Sequence, residues 1–279
     1  MFAYRHHFHA GNFADVFKHA LLSQLILSLQ KKDRPIVYVD THAGIGHYDL
    51  AHPWAAKNKE YILGAGRIFG CVDYPPDIGP YIDILSQNNE GDSLSKYPGS
   101  PVIARHLLRK QDRLVLNEFN SSDAEQLRRL TKNWSRTEIR REDGFRLTKS
   151  VLPPKERRGL IFIDPSYDRK GEFERVASTV EMGLKRFATG VYAIWYPVMS
   201  ESVTQDLIQR VKTSYGDKSL LRSEIYLSQA LFPGLMSACG LLIVNPPYQF
   251  ESVANTIGRW LLDKFDSSHN GRLLNQIID

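Results

Sequence analysis

Cysteine is nearly absent. The 279 residues contain two, Cys71 and Cys239, far apart and in no Cys-x-x-Cys pair. That count argues against a disulfide framework or a zinc ribbon and suits a reducing cytoplasm. No apolar run approaches the ~20 residues that a membrane-spanning helix needs. Met1 to His9 is polar and aromatic and lacks the apolar core of a signal peptide. No Gly-x-x-x-x-Gly-Lys-Ser/Thr stretch occurs, which counts against a P-loop nucleotide hydrolase. Internal repeats and low-complexity segments are missing too. Neither sign of charge dominates: 36 Lys and Arg face 31 Asp and Glu, net +5. That balance permits a nucleic-acid partner without requiring one.

What remains is an ordinary globular composition, 42% hydrophobic and 24% charged. The length suits one domain with an insertion. The leader Tyr4-Arg5-His6-His7-Phe8-His9-Ala10-Gly11-Asn12 is densely polar and aromatic. His7-x-His9 has a metal-ligand spacing, but no nearby carboxylate pair or cysteine completes a site, so no metal is expected. Asn12 with Asp15 three residues on approximates a capping box. Phe17, Leu21, Leu25 and Leu29 recur every four residues, so 13–30 reads as an amphipathic helix with Lys18 and His19 off its stripe.

Ile36 to Asp40 is a short buried strand, followed by Thr41-His42-Ala43-Gly44-Ile45-Gly46. A strand running into Gly-x-Gly lets backbone approach a cofactor closely. The segment 47–96, rich in proline and glycine, breaks the alternation of strands and helices and reads as a small helical insertion between core segments 1–46 and 97–279. In Tyr97-Pro98-Gly99-Ser100-Pro101, Ser100 fits an N-cap and Pro101 the first helical position. Arg113 to Asn117 is the second strand, and Glu118 at its end can bond both hydroxyls of a ribose. Arg128, Arg129, Lys132, Arg136, Arg140 and Arg141 form a run that reads as an RNA-facing stripe or a solvated face.

Leu160 to Ile163 is an apolar run of the kind buried in a parallel sheet, stopped by Asp164-Pro165-Ser166-Tyr167. An acid, a stiff turn and an aromatic ring after a strand suit chemistry on an aromatic amine. Asp164 and the Pro165 carbonyl can each accept one amine hydrogen, and Tyr167 can stack on the base, worth about 1–3 kcal/mol. Further strands follow at 190–196, 220–227 and 241–245, the last with no room for a crossover helix before it and therefore reversed. Residues 252–265 read as a helix and 266–279 as a mobile tail. Asn245-Pro246-Pro247-Tyr248 offers a second turn of this kind, a better match to the motif named below because both prolines are present, but it follows the reversed strand, so it reads as structural.

The turn at Asp164 resembles the (Asp/Asn/Ser)-Pro-Pro-(Tyr/Phe) motif of S-adenosylmethionine-dependent amino-methyltransferases, with Ser166 in place of the second proline. Asp40 to Gly46 resembles the first motif of class I methyltransferases, in which an acid at the position of Asp143 holds the cofactor's adenine. Over nearly its whole length the chain is similar to the RlmJ family, which N6-methylates an adenine of 23S ribosomal RNA. Tyr4-Arg5-His6, Phe8-His9-Ala10-Gly11-Asn12, Lys18-His19, Asp40-Thr41-His42-Ala43-Gly44 and Tyr97-Pro98-Gly99-Ser100-Pro101 carry that resemblance. So do Asp143-Gly144-Phe145, Arg157-Arg158-Gly159-Leu160-Ile161, Ile163-Asp164-Pro165, Lys185-Arg186-Phe187-Ala188-Thr189-Gly190 and Trp195-Tyr196-Pro197.

The resemblance implies an α/β, class I Rossmann-like fold: a seven-stranded, mostly parallel sheet with a reversed last strand and a small helical insertion. It implies that His19, His42, Ser100, Glu118, Asp143, Gly144 and Asp164 contact S-adenosylmethionine, with Asp164 catalytic. Tyr4, His6 and Lys18 match positions associated with the RNA substrate, with Pro165 and Tyr167 at the target base. A leader closing over a flipped adenine would put Tyr4 on the base and Lys18 on a phosphate. A cytoplasmic monomer acting on 23S rRNA, with no metal and no membrane, is expected. The rival readings are a DNA adenine-N6 methyltransferase, which usually needs a sizeable element to read the major groove, and a non-catalytic RNA-binding Rossmann protein.

Overall fold

The computed structural model describes residues 5–215, 219–228 and 236–278. Its main sheet has eight strands: β1 (Val37–Asp40), β2 (Arg113–Asn117), β3 (Thr137–Arg140), β4 (Gly159–Ile163), β5 (Val191–Pro197), β6 (Leu220–Tyr226), β7 (Ala238–Val244) and β8 (Arg272–Ile278). They lie in the order β8-β6-β7-β5-β4-β1-β2-β3. β1 to β5 are mutually parallel. β7 is wedged antiparallel between β5 and β6, as the short connection before it requires. This is the arrangement that the class I resemblance implies, with an eighth strand added beside β6.

β1 and β4 are buried on both faces. Their side chains alternate between two cores, as the period of two dictates. Tyr38 and Phe162 point into the layer built around Phe13–Gln30 and Phe250–Phe265. Val39, Ile161 and Ile163 point into the layer under Gly144–Val151, Glu172–Arg186 and Glu201–Tyr215.

Two expectations are corrected. Residues 272–278 are an eighth strand, not a tail. β8 pairs antiparallel with β6 along its length, and Leu273 and Ile277 pack on the core. Gly258 makes room for this, because a Cβ there would collide with the Leu273 side chain. The helix Phe13–Gln30 has the expected bounds and apolar stripe but is not amphipathic over its first half. Every residue from Phe13 to Ser23 is buried, Lys18 and His19 included.

The second face of that helix is covered by the segment 47–96, which is why it is buried. Short strands His47–Asp49 and Lys96–Pro98 pair and close the segment. Between them lie helices Pro53–Asn58, Ala65–Ile68 and Gly79–Gln87. Ala65, Ile68, Tyr81 and Tyr97 join the same core as the first helix. The Ala65 N–H bonds the Gly11 carbonyl at 2.8 Å, and Gly64 has no Cβ to collide with that carbonyl.

Candidate active site

β1 is followed in the chain by β2 on one side, while β4 flanks it on the other, so the sheet's switch point lies between β1 and β4. Ligands bind at such a point, outside the carboxyl ends of the strands. A cavity of about 1050 Å³ opens there. Every expected site residue that the structure describes lines it: His6, Lys18, His19, His42, Ser100, Glu118, Asp143, Gly144, Asp164, Pro165 and Tyr167. Tyr4 lies outside the described residues.

Asp40, at the end of β1, is fully buried. Its Oδ2 accepts from the Tyr38 hydroxyl (2.9 Å) and the Ser100 hydroxyl (2.7 Å), and its Oδ1 from the His42 N–H (3.2 Å). Burial pushes its pKa up to about 6 despite these donors, with the nearby Asp164 charge adding to the rise. Ser100 is therefore not the N-cap. Gly99 holds that position without a side-chain cap, and the Ser100 hydroxyl is directed to Asp40.

Glu118 closes over the glycine loop from the end of β2. Its Oε2 accepts from the Gly44 N–H (3.0 Å) and its Oε1 from the Asn120 N–H (2.7 Å). Burial pushes this carboxyl up to about 7. His42 is wedged between the Thr41 hydroxyl, 2.8 Å from Nδ1, and the edge of the Phe145 ring. Burial lowers its pKa to about 4, so the imidazole is neutral at pH 7. A Cβ on Gly144 would strike the Thr41 carbonyl and the His42 ring. Asp143 caps the following helix by accepting from the Phe145 N–H at 3.1 Å. Its other oxygen accepts from Arg175 at 2.6 Å, and that guanidinium lies 4.0 Å over the Phe145 ring.

The turn Asp164-Pro165-Ser166-Tyr167 is built around Lys18. Its ammonium lies 2.6 Å from Asp164 Oδ2 and 2.7 Å from Asp15 Oδ1, and 5.2 Å from the Trp195 ring centroid. Asp15 is 2% exposed; its Oδ2 also accepts from the Gly11 N–H (2.8 Å) and lies 3.0 Å from His6 Nε2. His6, Asp15, Lys18 and Asp164 thus form a continuous chain of titratable contacts. A buried Lys18 held between two carboxylates is not placed to meet a phosphate at the surface, which corrects that expected role. His19 is buried one residue on, its Nδ1 2.7 Å from the Tyr97 hydroxyl, and burial together with Lys18 holds it neutral.

Tyr167 does not stand free to stack. It has a left-handed backbone, φ 53°; its hydroxyl donates to the Trp195 carbonyl at 2.6 Å and its ring packs on Phe173. The Ser166 hydroxyl bonds the Asp168 carboxylate. Together these anchors hold a turn that lacks the second proline.

Sequence reasoning missed Asp15 and Trp195. Asp15 passed for a capping residue, since the Asn12 side chain does accept from its N–H at 2.9 Å. The signal available was Lys18 three residues on, on the same helix face. The second turn lies elsewhere. Val244 pairs with Tyr192 near the start of β5, so Asn245 sits at the opposite edge of the sheet. There its side chain donates to the carbonyls of Ala188 (2.9 Å) and Gly190 (2.7 Å). The arginine stripe is partly paired, with Arg128 and Arg129 on Glu125 and Arg140 on Glu138.

Three acids on the cavity wall, Glu118, Asp143 and Asp164, and the glycine cradle at Gly144 fit a cationic nucleoside such as S-adenosylmethionine. Among the described residues no cluster could hold a metal ion, and no helix is long and apolar enough to cross a membrane.

Comparison with known proteins shows the family. The family model described as ribosomal RNA large subunit methyltransferase D, RlmJ, matches residues 33–277. Ribosomal RNA large subunit methyltransferase J of Escherichia coli is 41% identical over 97% of this chain and 96% of its own length. The Haemophilus influenzae protein of the same name is 40% identical over 90% of each. A crystal structure of a Legionella pneumophila protein superposes with a TM-score of 0.88 at 36% identity, covering 96% of this chain and 98% of that one. The chain belongs to the RlmJ family of ribosomal RNA large subunit methyltransferases.

Proposed function

We propose that this protein methylates the exocyclic N6 amine of an adenine in 23S ribosomal RNA, with S-adenosylmethionine as donor, acting as a monomer in the cytoplasm. The observation that carries the reading is the place of Asp164. It ends β4 beside β1 at the switch point, in one cavity with Glu118 and the glycine loop. The names of the curated relatives support a ribosomal RNA substrate, and the two free cysteines suit a reducing compartment.

S-adenosylmethionine, when bound, supplies an electrophilic methyl group on a sulfonium. Glu118 would hold its ribose, Asp143 and Gly144 its adenine, and His19, His42 and Ser100 the rest of its pocket. The chain's own work is to make a poor nucleophile attack. The adenine amine's lone pair is delocalised into the ring, and two acceptors on its hydrogens draw the nitrogen toward tetrahedral geometry. Lys18 occupies Asp164 Oδ2, which leaves Oδ1 for one amine hydrogen and the Pro165 carbonyl for the other. After transfer the amine carries a positive charge and sheds one hydrogen as a proton, and the Asp164 carboxylate takes it. Holding the reactants in line contributes on the order of 7–11 kcal/mol to lowering the barrier. The adenine must leave its stack to reach the turn, and Trp195, beside Lys18 and Tyr167, offers a ring where Tyr167 is already engaged.

Nucleoside mass spectrometry of 23S rRNA from a deletion strain tests the reading. Loss of one N6-methyladenine, restored by the gene, is expected, and unchanged methylation would overturn it. Transfer to duplex DNA in place of protein-free rRNA would favour the DNA rival.

A further inference from the structure

The positive charge of this protein is concentrated at the end of the sheet away from the site. Three loops feed the adjacent strands β1, β2 and β4: residues 31–35, 109–112 and 155–158. They hold eight lysines and arginines against three acids. That surplus of five equals the net +5 of the whole chain, so everything else sums to neutrality.

The three acids are already engaged. Asp112 binds Arg109 at 2.9 Å, Glu156 binds Arg113 at 2.9 Å, and Asp33 lies 3.7 Å from Arg109. Lys31, Lys32, Arg34, Lys110, Lys155 and Arg157 are exposed, and no ion pair joins any of them to a carboxylate among the described residues. The stripe on Ser121–Thr131 differs, because Arg128 and Arg129 there both pair with Glu125.

The loops are also tied together. Arg109 and Arg158 both donate to the Arg34 carbonyl, at 2.9 and 3.1 Å. Burial lowers the pKa of Arg158, and the neighbouring positive charges of Arg109 and Arg34 lower it further. Like charges crowded in this way repel one another. A helix C-terminus attracts cations, which accounts for Lys31 and Lys32 just beyond Gln30. It accounts less for Lys110, Lys155 and Arg157, which lie three, four and six residues past the last residue of the helices Ser100–Leu107 and Gly144–Val151.

We infer that this rim is a second RNA-docking surface that grips the phosphates of a ribosomal RNA segment remote from the target adenine. The inference rests on the rRNA reading above. Arg158 and Asp164 bracket β4, and six residues at about 3.3 Å each separate rim from site by roughly 20 Å. The nucleotide in the cavity cannot touch the rim, so the gripped segment is a different part of the same RNA. Exposed cations with no carboxylate partner suit backbone phosphates, which carry no sequence information but set register.

The test uses the full-length triple variant Lys31→Gln, Lys32→Gln and Lys110→Gln. Binding is titrated against salt with two RNAs, a domain-length 23S fragment and a short hairpin bearing only the target. Each lost phosphate contact removes close to one unit of log–log slope. For the long fragment the slope should fall by about 2–3 units and affinity by on the order of tenfold or more at moderate salt. Hairpin affinity and methyl transfer to saturating hairpin should stay at wild-type values. An unchanged slope on the long fragment, or an equal loss on both RNAs, would overturn the rim. Failure of the wild type to methylate either RNA would instead overturn the rRNA reading.

Discussion

Lys18 Nζ lies 2.6 Å from Asp164 Oδ2 and 2.7 Å from Asp15 Oδ1, with Lys18 itself 4% exposed. One buried cation therefore holds the acid of β4's turn, the proposed catalytic residue, against the acid that organises the leader. Lys18→Ala removes the shared counter-ion and leaves two carboxylates facing each other, and breaking a buried pair in this way costs about 3–5 kcal/mol. Methyl transfer should fall by orders of magnitude. The salt slope of RNA binding should stay at the wild-type value, because Lys18 meets no phosphate. A flattened slope with intact turnover would return Lys18 to the RNA backbone.

Glu118→Ala should weaken S-adenosylmethionine binding by roughly ten- to a hundredfold, the loss of hydrogen bonds to a charged group being about 1.5–3 kcal/mol. RNA affinity should hold. Isothermal titration with donor and with RNA separates the two, and unchanged donor affinity would reduce Glu118 to a clasp on Gly44.

The same carboxyl gives a pH dependence. Burial raises Glu118 from 4.5 to about 7 and Asp40 from 3.8 to about 6. The donor-free folded protein thus binds more protons than the unfolded chain through that window. Its stability falls as pH rises through about 4 to 7 on account of these two groups. Denaturant titrations from pH 5 to 8 should show a shallower fall for Glu118→Gln than for wild type. An identical slope in the two proteins would contradict the assignment.

Gly144→Ala puts a methyl group against the Thr41 carbonyl and the His42 ring. Overpacking of this kind costs about 1–3 kcal/mol. Donor affinity should drop with it, since His42 and the glycine loop must shift. Thermal melts with and without donor read both effects, and a wild-type melt with wild-type donor affinity would show that the cradle yields without cost.

The strands that position the site were legible because they are buried on both faces. Leu160 to Ile163 could be little else than a central strand, and the short link before residue 241 required a reversed one. Position also separated Asp164 from the better motif match at Asn245, which the reversed strand carries to the far edge. β8 was illegible because Asn275 and Gln276 interrupt its apolar pattern, and because it depends on β6 and a glycine in the preceding helix. The polar half of the first helix was misread for a related reason. Burial of Lys18 and His19 depends on partners 146 and 78 positions away, namely Asp164 and Tyr97, and no local periodicity encodes them. Ser100 has cap-like neighbours, yet its hydroxyl answers to Asp40, 60 positions away.

Asp164, and not Asn245, is the proposed acceptor of the adenine amine. Single-turnover methyl transfer to unmethylated 23S rRNA, measured for Asp164→Ala and Asn245→Ala beside wild type, tests it most directly, with circular dichroism to verify folding. Asp164→Ala should be folded and slower by orders of magnitude, while Asn245→Ala should transfer at close to the wild-type rate. A folded Asp164→Ala that turns over normally, or an Asn245→Ala that is folded and inactive, would contradict it.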